Sequence, residues 1–170
     1  MSPAEESEVG LADVDDFVLD RLAEAAVRHA TADEVTPRVT PGPDWTPERV
    51  QWLRDFHVTR RAGMAGPHRE ATWAVLVEGQ VVGSVRLRAK AGGDMETGVW
   101  LIRPARRRGI ATAAVREVAL IAAHSGARHL RATTTEANGA ARAVLAALGF
   151  DQSPGAEPGV VEGVLALPAR

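Results

Sequence analysis

The run Val99-Trp100-Leu101-Ile102 gives way to Arg106-Arg107-Arg108-Gly109 and then to a helical pattern from Ile110 to Ala123. No other stretch constrains the fold of this chain as tightly. The apolar run reads as a strand, and Ala114, Val115, Val118, Ile121 and Ala122 recur at helical spacing after Ile110. A strand that enters a helix through a Gly-containing turn aims several backbone N–H groups at one spot, and the helix N-terminus adds partial positive charge there. Such a turn is an anion site suited to phosphate. A basic helix start on a solvated face would leave the same short pattern, so the rest of the chain has to decide.

The chain has 170 residues, enough for one α/β domain with a sizeable core. Its net charge of -2 offers no bulk attraction to nucleic acid or to an anionic membrane. Cysteine is absent, which removes disulfides, thiolate catalysis and Cys-based metal sites; tyrosine is absent too. The acidic start, Met1 to Glu8, lacks the basic and apolar regions of a signal peptide, and no apolar run approaches the about 18 residues of a membrane span. A cytoplasmic protein is expected, with residues 1–7 as a flexible tail.

In order, Glu8 to Ala12 is a short first strand. Asp13 is the expected N-cap of a helix over residues 14–30, with Asp16 as an acid in its first turn. Thr36 to Pro47 is a stiff, Pro-rich connection. Thr46-Pro47-Glu48 starts a second helix over about 47–61, with Val50, Leu53, Phe56 and His57 on its buried face. Thr72 to Val77 and Val81 to Ala89 flank Glu78-Gly79-Gln80 as a β-hairpin. Glu96 to Ile102 follows a Gly-rich turn and is antiparallel to its predecessor. After the helix from Ile110, Gly126 sits where a helix-ending glycine belongs. Leu130 to Thr135 is a strand, and Asn138 caps a helix from Gly139 to Leu148. Phe150 opens another extended segment, and Val160 to Leu167 is the last strand. The order β-α-α-β-β-β-α-β-α-β-β predicts an α/β (α+β) fold: a mixed, mostly antiparallel sheet of six to seven strands with helices on both faces.

Arg106-x-x-Gly109-x-Ala111 resembles the (Gln/Arg)-x-x-Gly-x-(Gly/Ala) pyrophosphate loop of the GNAT superfamily of N-acetyltransferases. The order of elements is also that of the GNAT fold, and the loop falls where the family has it. Asn138 followed by Leu148-Gly149-Phe150 is similar to a second family motif. Glu96-x-Gly98-x-Trp100-Leu101 and Gly109-Ile110-Ala111-Thr112 resemble the Rim-type branch, which holds ribosomal-protein N-terminal acetyltransferases and many small-molecule relatives. The resemblance implies one GNAT domain over residues 1–170. Two positions depart from the pattern: Arg107 stands where Gly is common, and Ala141 stands where the branch usually has Ser.

The resemblance implies acetyl-CoA as cofactor. Backbone N–H groups from Arg107 to Ala111, in the loop of Arg106, Arg107, Arg108, Gly109, Ile110, Ala111 and Thr112, would cradle its diphosphate. Pantetheine would pair along Leu101, Ile102 and Arg103, with a contact from Asn138. Arginine side chains at 106 to 108 would add charge, and a Cβ at Gly109 would crowd the approaching phosphate. A backbone N–H near Leu101 or Ile102 would serve the oxyanion. Glu96 is the expected general base, with its pKa raised by enclosure in a cleft. Glu70, His57 and His68 belong to segments that line the acceptor side in the family, and Trp45, in a Pro-rich loop, is expected to face an acceptor. The Tyr that protonates the leaving thiolate in many relatives is Leu145 here. No metal site is expected. Three arginines on a net-negative chain without an aromatic platform make a poor nucleic-acid surface.

The expected reaction is N-acetyl transfer to a primary amine, small molecule or peptide N-terminus, by direct attack in a ternary complex. One alternative is still an enzyme, with another acyl-CoA or another acceptor; the other is a non-catalytic module of the same fold that binds acyl-CoA as a sensor or interaction domain. A homodimer is open, since dimers are common in the fold.

Overall fold

The computed structural model describes residues 8–169, so the expected tail at 1–7 lies outside the described residues. Seven strands form one sheet: β1 (Val9–Asp13), β2 (Glu70–Val77), β3 (Gln80–Ala89), β4 (Met95–Leu101), β5 (His129–Thr135), β6 (Asp151–Pro154) and β7 (Val160–Ala166). Their spatial order is β1-β2-β3-β4-β5-β7-β6, and only β4 and β5 run parallel. The helices are α1 (Asp16–His29), α2 (Ala32–Val35), α3 (Pro47–Val58), α4 (Ile110–His124) and α5 (Gly139–Ala147). Among the described residues, no helix is long and apolar enough to cross a membrane.

The expected order holds, with α2 added. Asp13 does not cap α1, because β1 is still paired there (Asp13 opposite Trp73). Asp15 caps it instead, accepting from the Val18 N–H at 2.8 Å. Thr46 caps α3 as expected, accepting from the Arg49 N–H at 3.2 Å with Pro47 in the first turn. That helix stops at Val58, where the Thr59 hydroxyl donates back to the Asp55 carbonyl at 2.8 Å.

One sheet face is covered by α1 and α3. Leu19 and Leu22 pack on Ala74, while Ala23, Ala26 and Leu53 pack between the two helices with Trp100 against them. On the other face, Ile110, Ala114 and Val118 of α4 meet Val75, Val85 and Leu101, and Leu145 of α5 joins Leu130 and Ala132. The helix side chains meet the sheet as their spacing predicts.

The sheet is not closed in its middle. β4 pairs with β5 only at Met95–Leu130 and Glu96–Arg131. Beyond that point β4 continues against β3 up to Leu101, opposite Gly83, while β5 continues against β7 up to Thr135, opposite Val160. The two parallel strands therefore separate into a wedge that opens toward their C-terminal ends. This is the crevice at which open α/β sheets bind ligands.

Candidate active site

The wedge is capped by the loop that leads into α4. The Ile102 N–H makes the last ladder bond, to the Val82 carbonyl at 2.9 Å. A short turn over Arg103–Ala105 follows. The backbone then takes left-handed conformations at Arg107 (φ 61°) and Gly109 (φ 75°) before α4 begins. Among the described residues, no backbone N–H from Arg107 to Thr112 finds a protein acceptor; the first helical bond is Ala113 N–H to the Gly109 carbonyl at 3.1 Å. A row of free N–H groups at the start of a 15-residue helix fits a diphosphate. A Cβ on Gly109 would meet nothing within 4 Å, so the protein itself does not crowd it. What calls for glycine is the positive φ, and any side chain there would project into open space. Arg107 adopts the same left-handed region at the position where Gly is common in relatives.

The arginines divide by direction. Arg103, Arg107 and Arg108 are exposed. Arg106 turns back: its Nε and Nη2 donate to the Leu101 carbonyl at 3.1 and 3.0 Å, and Nη2 pairs with Glu34 Oε2 at 3.0 Å. The expectation that its side chain adds charge for a phosphate does not fit this geometry, because the guanidinium is held by the strand end and by α2. Ile102 needs a similar correction as an oxyanion donor, since its N–H is spent on β3. The regular β3–β4 register turns alternate residues the other way, so the N–H groups of Val99 and Leu101 face the wedge. The Leu101 carbonyl is already taken by Arg106. Asn138 follows the β5 end of the wedge and caps α5, its Oδ1 accepting from the Ala141 N–H at 3.0 Å.

Beside the wedge, on the α3 side, lies a cavity of about 250 Å³. Val35, Trp52, Phe56 and Trp100 give it apolar and aromatic walls; Glu34, His57, Ser84 and Arg86 supply polar groups. Val99 lines it as well, so the β4 edge is common to the wedge and the cavity. His57 is buried, and its Nδ1 lies 2.9 Å from the Thr72 hydroxyl. Burial, with the nearby Arg60 charge, pushes its pKa down to about 4, so the ring is neutral at neutral pH.

Glu96 does not behave as a poised base. Arg86 (3.2 Å), Arg88 (2.8 Å) and Lys90 (3.5 Å) surround its carboxylate. Burial raises its pKa, but the charges of Arg86, Arg88 and Lys90 outweigh that and hold it below the ordinary value. It is also not among the residues lining the cavity. Glu70 is buried between Arg60 and Arg86. His68 stands on an exposed turn before β2. Trp45 does not face the cavity: its indole N–H donates to the Ala30 carbonyl at 3.0 Å, and its ring packs against the core between α1 and α3. Leu145, in the place of the tyrosine acid, is packed against Phe150 and Gly163 in the core.

Two participants escaped sequence reasoning. Glu34 sits on α2, whose only signal is the Thr31/Glu34 spacing of a capping box; the Thr31 N–H donates to Glu34 Oε2 at 2.9 Å. Arg49 is fully buried in α3. It donates to Thr36 Oγ1 (2.8 Å), the Thr36 carbonyl (3.1 Å), the Gly42 carbonyl (3.3 Å) and Asp33 (2.8 Å), fastening the Pro-rich connection beside the cavity.

The acetyltransferase (GNAT) domain family matches this chain over residues 9–151, which takes in the wedge, the loop and the cavity. The chain belongs to the GNAT acetyltransferase family. No curated protein matches it in sequence. Among solved structures, the GNAT domain of S. lividans PAT is 21% identical, with 98% of this chain and 100% of that one covered and a TM-score of 0.68. Mycobacterium smegmatis RimJ, in complex with CoA-disulfide, is 21% identical over 95% of this chain and 83% of its own, with a TM-score of 0.74. RimL, a ribosomal L7/L12 alpha-N-protein acetyltransferase in complex with coenzyme A, is 14% identical over 97% of both chains, with a TM-score of 0.72. At these identities the likeness establishes the GNAT fold.

Proposed function

We propose that this GNAT domain transfers an acetyl group from acetyl-CoA to a primary amine by direct attack in a ternary complex, in the cytoplasm. The single observation that carries the reading is the row of unpaired N–H groups from Arg107 to Thr112 at the mouth of the β4–β5 wedge. Those N–H groups, with exposed Arg107 and Arg108, suit a diphosphate. The edge of β4, apart from the Leu101 carbonyl that Arg106 holds, offers an extended pantetheine arm hydrogen bonds of the kind a further strand would make, and Asn138 follows the β5 end of the same wedge. The solved RimL and RimJ complexes with coenzyme A and CoA-disulfide support the same donor.

In the reaction, the amine nitrogen bonds to the acetyl carbon and the C–S bond breaks. The thiolate of coenzyme A leaves and is protonated, while the nitrogen loses its proton to water. The N–H groups of Val99 and Leu101 supply the polarising dipoles on the β4 edge. With Glu96 held at low pKa by its cations and Leu145 buried in place of the acid, rate enhancement rests mainly on holding donor and amine together.

Leu145 and the weak basicity of Glu96 also favour a second reading, in which the domain binds acyl-CoA without turning it over. Release of free thiol from acetyl-CoA in the presence of a panel of primary amines separates the two. Amine-dependent release supports catalysis, and acetyl-CoA binding without any release supports the sensor.

A further inference from the structure

The carboxylates on the α3 side of the sheet differ in their company. Glu70 is matched by Arg60 and Arg86, and Glu96 by Arg86, Arg88 and Lys90. Each has both carboxylate oxygens engaged. Glu34 is the one carboxylate among the residues that line the 250 Å³ cavity. The hydrogen bond from the Thr31 N–H and the ion pair with Arg106 both fall on Oε2, and Oε1 accepts none among the described residues. Burial acts to raise its pKa, but the bonds from Arg106 and Thr31 bring it down to about 2, so the group is ionised at any working pH. Val35, Trp52, Phe56 and Trp100 are among its apolar and aromatic walls. His57 is neutral, and the Arg86 charge is shared between two carboxylates.

We propose that Glu34 binds the acceptor in its ammonium form, which passes one proton to water before the neutral nitrogen attacks, so that acceptors of this site are primary amines carried on a small apolar or aromatic body. The inference rests on the acetyltransferase reading and names the substrate class of that same site. A cation gains from the carboxylate, and the apolar and aromatic walls suit the body that carries it. An acceptor bearing its own carboxylate at that end would meet Glu34 as a like charge. The cavity lies below the size range of sites for drug-sized ligands, so it holds one small amine or the first residue of a peptide.

Trp52 and Trp100 line the cavity, and their fluorescence reads occupancy without turnover. Phenethylamine, its neutral counterpart phenethyl alcohol and a short alanyl peptide amide with a free N-terminus are titrated into wild type and Glu34→Gln. Gln keeps a side-chain acceptor for the Thr31 and Arg106 donors, so α2 stays capped, and an unchanged Tm checks this. The expected result is saturation by phenethylamine, the peptide or both, weakened about tenfold in Glu34→Gln, with phenethyl alcohol indifferent to the substitution. Saturation by phenethylamine alone assigns a free small amine as the source; saturation by the peptide alone assigns a chain terminus. Equal amine affinity in the two proteins, or saturation by neither amine, overturns the proposal. Failure of the underlying reading is a separate result: acetyl-CoA would not bind wild type in a parallel titration, and the acceptor assignment would fall with it.

Discussion

Arg86, Arg88 and Lys90 stand within ion-pair reach of Glu96, and removing its charge would leave three cations facing one another. The Glu96→Gln variant should therefore lose about 1 to 2 kcal/mol of stability, read as a lower Tm, while the acid limb of its kcat/KM profile stays where it is in wild type. A shifted acid limb would return Glu96 to the role of base. His57 makes a prediction of opposite character. Its folded pKa, about 4, lies below the ordinary 6.5, so the unfolded chain binds the extra proton. The stability it contributes is complete above the unfolded value and is lost as pH falls toward the folded one. Urea melts should show a loss of about 2 kcal/mol between about pH 7 and about pH 5 that is absent in His57→Gln. An equal slope in both proteins would contradict the buried neutral ring. Arg49 shows why some residues could not be read from the sequence. Its partners are Asp33 of α2, Thr36 at the end of α2 and the Gly42 carbonyl, and no spacing rule ties a helical arginine to groups in a separate one-turn helix and the loop after it. Periodicity counts apolar side chains, and a buried guanidinium is invisible to it.

At the scale of elements, what could be read was what local chemistry decides. The loop before α4, the Gly126 and Asn138 boundaries and the hairpin through Glu78-Gly79 all carry their own turn or cap residues. α2, four residues long, gave no periodic signal, and the N-cap of α1 moved from Asp13 to Asp15 because strand pairing reaches Asp13. β4 depends on a position that the sequence did not single out. A Cβ on Gly83 would lie 2.1 Å from the Trp100 carbonyl oxygen and 2.8 Å from Leu101 Cδ2. Both obstacles belong to the end of β4, and one of them is backbone, so the strand itself must move. Gly83→Ala should lower stability by about 1 to 3 kcal/mol and weaken acetyl-CoA binding together, although residue 83 lines neither the loop nor the cavity. Calorimetry and a thermal melt check both effects; a stable variant with unchanged affinity would show that the β4 edge does not position the donor.

At the scale of the molecule, the wedge organises everything else. It arises because the parallel β4–β5 ladder stops after two register pairs while each strand goes on with its other neighbour. Apart from α2, the order of elements was legible, but the number of residues over which two distant strands stay paired is a tertiary outcome that no local pattern records. The same holds for the cavity, whose walls come from α2, α3, β3 and β4. The central claim is that the free N–H row at the top of this wedge holds the donor's diphosphate, and Gly109 gives the most direct test. A tryptophan there would occupy the open space in front of that row and would have to adopt a left-handed φ. Titration calorimetry of acetyl-CoA into wild type and Gly109→Trp, with circular dichroism to confirm that both are folded, is the decisive measurement. Micromolar binding by wild type and none by the folded variant is the predicted result. Equal binding by both, or no binding by wild type, would contradict the account.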